Sequence, residues 1–376
     1  MPRIRIATAL ARPAVVLFLC LFASQAGFLV LSAVLPVVAR DLGASPAAVG
    51  QLRALTGLAG GATAIALVAA GGRPGPRRAL AHGLRLMLAA SAISAAAPGM
   101  LVLGAAQALL GVASALLLAG GVAAVAEWTE PGERARVLAW ALVGQPAAWV
   151  AGLPVIGVLA GGGWRAAWLV PALAAVAALA LLSRRGADAP TSAPQRAMRA
   201  LLGDGDVRRW AVGELLAYCA WSGALVFAGA LLVESHGASP ATAGLALGAA
   251  AAAYFPGTFL ARRWVDAHAR ALLAGLGLAC AAGVAAFGLV RPTLAVSALL
   301  FALLVGLAGG RTLAGSAHGL AVGAAHPATA VTGLRTAAAQ LGNLGGAGLG
   351  GVALAAGGYG ALGTLLAALF VLAVVP

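Results

Sequence analysis

The ionisable side chains inside otherwise apolar stretches of this 376-residue chain include Arg53, Glu214, Arg311, His318 and Arg335. A charge at the centre of a bilayer costs roughly 2.5 to 3.5 kcal/mol, so one that cannot reach an interface calls for a functional explanation. Arg311 and His318 are seven residues apart, two turns along one helical face. Arg53 shares a face with Gly57 and Gly61, and Arg335 shares one with Gly342 and Gly346. A proton carrier needs a titratable group that responds to solvent exposure, and Glu214 and His318 are the groups of that kind. Together with Gln25, Gln340 and Asn343, these residues are candidates for the polar lining of a substrate cavity. An interhelical hydrogen bond is the alternative for each. For Glu214 the simpler expectation is a pairing with Arg208 or Arg209 near the membrane surface, whereas Arg85 can snorkel out along its stem.

The elements that must position these groups follow from composition. Hydrophobic residues make up 62% of the chain, charged residues only 9%, and the mean hydropathy is +0.99, so a water-soluble globule could not hide the apolar surface. The bilayer is the expected solvent. Backbone groups cannot stay unpaired in hydrocarbon, and long unalternating runs of Ala and Leu point to helices rather than a barrel. Cutting at about 20 residues per crossing gives runs near 14–38, 47–70, 79–97, 99–125, 137–161, 166–183, 210–233, 241–261, 271–290, 292–320, 329–356 and 358–375. The expectation is therefore an all-α membrane protein with twelve spans.

All 24 basic residues are arginine, and most sit at the N-terminus and in alternate gaps at 71–85, 126–136, 184–209 and 261–270. The intervening gaps hold only Arg40, Arg165 and Arg291. Short arginine-rich loops stay cytoplasmic, which puts both termini and the central loop on that side of an inner (plasma) membrane. The net charge of +14 then reflects attraction to anionic lipid, and no nucleic-acid partner is expected. The first apolar run is too long for a cleaved leader and reads as a retained helix. Cys20, Cys219 and Cys280 all fall within spans, so neither a disulfide framework nor a metal site is expected.

Gly43-Ala44-Ser45-Pro46-Ala47 returns as Gly237-Ala238-Ser239-Pro240-Ala241, an offset of 194. The same offset relates Pro98 to Pro292, and an offset of 192 relates Arg78-Ala79-Leu80 to Arg270-Ala271-Leu272. The chain reads as two six-helix halves, 1–183 and 210–376, joined by a polar linker at 184–209. Duplicated halves around a midplane site are the plan of many secondary transporters.

Specific motifs point the same way. Leu35-Pro36 with Ala39-Arg40-Asp41-Leu42-Gly43 and Gly50, the stretch Glu127 to Arg136, Ala151-Gly152-Leu153-Pro154 with Gly157, and Gly163-Trp164-Arg165 with Trp168 resemble the major facilitator superfamily. The likeness is to its twelve-helix drug:proton antiporter and sugar-efflux-like branch, and it runs the full length of the chain. Three positions depart from the pattern. Arg73 replaces the usual Asp of the loop between helices 2 and 3, Gln107 stands at the buried-arginine position of helix 4, and Gln25 takes the place of the helix 1 acid. The resemblance implies that Arg77, Arg78, Arg262, Arg263, Asp266 and Arg270 act as gating-loop residues, although retention by positive charge explains most of them equally. Pro154 removes one backbone bond and Gly152 and Gly157 make a bend cheap, so these three are a candidate hinge in helix 5, a static kink being the alternative, and the resemblance associates the motif with exporters.

Ladders of small residues at Gly57/Gly61, Gly144/Ala148/Gly152, Gly244/Gly248/Ala252 and Gly342/Gly346/Gly350 let neighbouring backbones approach, and the resemblance implies that they face the seam between the halves, composition in a chain with 53 glycines being the alternative. There is no Gly-x-Ser-x-Gly elbow, P-loop or metal-ligand spacing, so neither an enzyme nor a cofactor is expected. Any transport must draw on an ion or solute gradient. The reading is a monomeric secondary transporter of a small organic solute or drug working by alternating access, and the resemblance implies that it is proton-coupled and exports its solute. An uptake permease is the near alternative, and a transport-deficient receptor or assembly partner is the more distant one. Deep arginines without a deep aspartate favour neutral or anionic solutes over cationic drugs.

Overall fold

The computed structural model describes residues 2–69, 75–130, 133–183, 201–326 and 328–374, and every regular element among them is a helix. The first set comprises α1 (Pro2–Asp41), α2 (Pro46–Ala69), α3 (Pro76–Ala96), α4 (Met100–Trp128), α5 (Arg136–Gly161) and α6 (Trp164–Leu182). The second begins with α7 (Gly205–His236), α8 (Pro240–Ala261), α9 (Val265–Leu289) and α10 (Leu294–Val322). It ends in a stretch, Ala328–Leu372, broken at Gly357 and Gly358 into α11 (328–356) and α12 (359–372). Gly358 has φ +66°, which a side chain would resist.

Ten of these helices are long and apolar enough to cross a membrane when α11 and α12 count as one. The glycine break and the 24-residue α2 bring the spans to twelve. Leu101, Leu173 and Leu299 are 88%, 65% and 69% exposed, the outward apolar surface expected where lipid is the solvent. The molecule is a multi-pass, all-α membrane protein.

The repeat is structural as well as textual. Gly43 and Gly237 end their helices with φ +62° and +64°. Ser45 Oγ then accepts from Ala48 N at 3.1 Å, and Ser239 Oγ accepts from Thr242 N at 3.1 Å, each serine capping a helix that opens on proline. In the first set Arg165 Nη1 donates to Asp41 Oδ2 at 2.8 Å, clasping the start of α6 to the end of α1. In the second, Tyr359, 194 residues after Arg165, donates its hydroxyl to Glu234 Oε2 at 2.7 Å and clasps α12 to α7.

Several helix starts lie earlier than hydropathy places them. α7 opens at Gly205 rather than 210 because Asp204 Oδ1 accepts from Asp206 N at 3.0 Å and Val207 N at 3.3 Å, so the charged turn is helical. Those bonds, with His326 nearby, hold the Asp204 carboxyl below the usual carboxylate range. Of the expected linker, 184–200 lies outside the described residues.

One apolar cluster, around Leu17, Leu84, Leu110 and Ala175, belongs to the first set alone. A larger one runs through both sets, from Val30 and Val34 of α1 to Phe227 and Leu231 of α7. Glycines mark close approaches between the sets from the side of the Leu42–Ser45 turn, here the far side, to about the middle of the helices. A side-chain carbon at Gly57 of α2 would collide with the Leu344 backbone of α11, and one at Gly244 of α8 would lie 3.0 Å from Gly157 Cα of α5.

The α2 and α8 ladders thus face the seam as expected, but the other two do not. Gly144 faces the α1 backbone at Phe18, and Gly342 and Gly346 face α7 at Tyr218 and Cys219. A seam helix also has neighbours in its own set, and four-spaced small residues serve whichever backbone comes nearest.

Candidate functional site

Glu214, on the third turn of α7, is 1% exposed and lies between two arginines from other helices. Arg335 Nε of α11 donates to Glu214 Oε2 at 2.8 Å. Arg311 Nη1 of α10 lies 2.9 Å from Oε1 as an ion pair, without the alignment of a hydrogen bond. The expected pairing with Arg208 or Arg209 is not what forms. Arg209 instead contacts Asp206 at 3.4 Å on the surface, and Glu214 turns inward.

The local sequence explains this convergence. Arg335 shares a face with Gly342 and Gly346, and that face packs on α7, which carries Glu214. Gly315, one turn beyond Arg311, leaves room for the carboxylate, since a side-chain carbon there would lie 2.5 Å from Oε1. Trp210 braces the same corner by donating Nε1–H to the Gly315 carbonyl at 2.9 Å.

The cluster carries two cations and one anion. Arg335 is its most accessible member, with a side chain 19% exposed against 7% for Arg311 and 0% for Glu214. Arg335 Nη2 also donates to the Thr312 carbonyl at 3.3 Å, and its guanidinium lies 5.4 Å from the Tyr218 ring centroid. Sequence reasoning missed Tyr218, although it stands four residues after Glu214 on the same face of α7. It also missed Trp149 of α5 and Trp221 of α7, which stack across the seam at 5.6 Å and 4°.

The remaining candidates are dispersed. Gln340 is 3% exposed and its Oε1 accepts from Asn343 Nδ2 at 3.1 Å, both on the part of α11 that meets α2. His318 is half-buried two turns beyond Arg311, toward the chain termini. Gln25 is half-buried on α1, and Arg53 is buried on α2 with its guanidinium 4.3 Å from the Phe28 ring centroid.

Of the gating-loop residues, Arg77 and Arg78 fall in the first turn of α3, Arg262 and Arg263 are exposed just past α8, and Arg270 is exposed on α9. The Asp266 side chain and all of Arg73 lie outside the described residues. In helix 5 the sequence predicts a bend at Pro154. The structure places a π turn, Ala148–Gly152, immediately before it. Pro154 has no N–H to offer the Val150 carbonyl, and the preceding turn widens. Gly152 faces Phe22 within its own set, whereas Gly157 meets α8 at Pro240 and Gly244. Among the described residues no group of His, Cys, Asp or Glu could hold a metal ion.

A family model described as Major Facilitator Superfamily matches residues 17–212. No curated protein matches the chain. Among solved structures, the chain is similar to a bacterial homolog of the human lysosomal transporter Spinster in an inward-facing, unoccupied conformation. That match has a TM-score of 0.76 and 16% identity, covering 98% of this chain and 94% of the other. It is also similar to a D-xylose-proton symporter, with a TM-score of 0.74 and 17% identity, covering 98% and 96%. At such identities the likeness speaks for the fold.

Proposed function

This chain belongs to the major facilitator superfamily, and on that footing we propose that it is a proton-coupled secondary transporter that exports a small organic solute across the plasma membrane. Its moving bodies are residues 1–183 and 210–376, working as a monomer with both termini cytoplasmic. The tight far-side seam then corresponds to the state open toward the cytoplasm.

The observation that carries the reading is Glu214, a carboxylate sealed between Arg311 and Arg335 at the meeting of α7, α10 and α11. While charged, it ties three helices together. Once protonated, it leaves two cations without their counter-ion, and the helices are free to part. A solute that hydrogen-bonds to the carboxylate needs it charged, whereas a proton neutralises it. Solute and proton then exclude each other, which is the condition for exchange. Export in particular is supported by the likeness of Ala151-Gly152-Leu153-Pro154 and Gly157 to the helix 5 motif of exporters.

The charge of the cluster favours a second reading, uptake by symport. A solute that draws Arg335 away leaves Glu214 one cation short, and a proton that takes the place of that cation travels with the solute. Flux in proteoliposomes with an imposed pH gradient separates these readings. Exchange predicts solute movement against the proton flow, symport predicts movement with it, and Glu214→Gln should abolish the response to pH in either case. An undiminished pH response in that variant would remove Glu214 from the mechanism.

A further inference from the structure

Arg53 is a buried cation for which the Glu214 mechanism has no use. It is 5% exposed, and Phe28 covers its guanidinium. Contact with a ring does nothing for the in-plane N–H groups. Nε and Nη1 are buried without a hydrogen-bond partner among the described residues, unlike the donors of Arg335, which reach Glu214 and the Thr312 carbonyl.

The polar groups next along this face of α2 are already engaged with one another. Thr56, one turn along the same face of α2, donates to Gln107 Oε1 at 3.3 Å, and Gly60, another turn on, faces the Gln340 amide. The Nε2 groups of both glutamines are buried without a partner among the described residues. Gln25, one turn from Phe28 on α1, is half-buried, while Phe28 is 7% exposed.

We propose that Arg53 binds a monovalent anion, either chloride or the carboxylate of a transported solute, and that its occupancy favours the far-side-closed state. This rests on the alternating-access reading above. With the seam closed around Gly57 and Leu344, Arg53 is dehydrated, and an anion beside it is held strongly. When α2 and α11 part, water reaches the guanidinium and the hold weakens. A ligand that binds one state more tightly draws the population toward it. One uncompensated cation sets the preference for a single negative charge.

The test uses the purified full chain, with thermal unfolding and with cross-linking of an Ala47→Cys/Gly351→Cys pair as a reporter of far-side closure. Chloride is compared with sulfate at equal ionic strength, and benzoate with benzamide. Chloride or benzoate should raise the wild-type melting temperature saturably by several degrees and increase cross-linking about twofold, while sulfate and benzamide give neither a saturable rise nor added cross-linking. Arg53→Met should lose both responses, and Arg53→Lys should keep them with the midpoint shifted at least threefold. A chloride response identifies an inorganic ion, and a benzoate response without one identifies a carboxylate. Absence of both in the wild type, equal responses in Arg53→Met, or, should that variant not fold, an unshifted midpoint in Arg53→Lys would overturn the proposal. An anion response in protein that moves no solute would instead sink the transport reading and leave this site standing.

Discussion

One carboxylate shared by two arginines makes the energetics of the Glu214 cluster non-additive. With either cation removed, Glu214 keeps a partner and the cluster is neutral, so Arg311→Gln and Arg335→Gln should each be tolerated. With both removed, a buried carboxylate is left alone, and breaking a buried pair in this way costs about 3 to 5 kcal/mol. The double variant should therefore exceed the sum of the singles by about 1 kcal/mol or more in thermal or denaturant unfolding, and strict additivity would show that the three groups do not act as a unit. Gly315→Ala probes the same corner by bringing a methyl within 2.5 Å of Oε1. It should cost about 1 to 3 kcal/mol and shift the pH dependence of flux, whereas a change in stability alone would mean that the carboxylate simply moves aside. The sequence revealed each member of this cluster as a charge stranded in an apolar run, but not their meeting. The nearest arginines in sequence to Glu214 are Arg208 and Arg209, while its partners lie 97 and 121 residues away on helices whose packing no local pattern encodes.

Among the helices, what is legible is what lipid dictates. Length and hydropathy are consequences of crossing a bilayer, so the spans emerge from composition, and polar chemistry moves their ends, as Asp204 does for α7. The ladders show the limit, because four-spaced glycines announce a close neighbour without naming it. In α2 that neighbour is α11, and the contact decides whether the far side can shut. Gly57→Leu would push a bulky side chain into the Leu344 backbone. The variant should fold, since Gly57 packs on the opposite set rather than inside its own. Its Ala47→Cys/Gly351→Cys cross-linking should fall severalfold and its solute flux should be largely lost. Undiminished cross-linking would show that this crossing is not what brings the two sets together.

For the molecule as a whole, the repeat and the arginine pattern together make one claim about orientation. Ser45 and Ser239 occupy equivalent caps after α1 and α7, both exposed, and the repeat places six crossings between them. An even number of crossings puts them on the same face of the membrane, and the scarcity of arginine in their loops makes that face the outer one. Ser183, exposed just after α6, belongs with the arginine-rich gap on the opposite face. The native Cys20, Cys219 and Cys280 are all buried and should stay silent toward a membrane-impermeant maleimide. Ser45→Cys and Ser239→Cys should therefore label in intact cells, and Ser183→Cys only after permeabilisation. Labelling of all three reversed would invert the orientation while keeping the repeat, because positive charge sets the sidedness and duplication does not. Labelling of Ser45→Cys and Ser239→Cys from opposite faces would strike deeper. It would require an odd number of crossings between them, which two copies of one six-helix unit cannot provide.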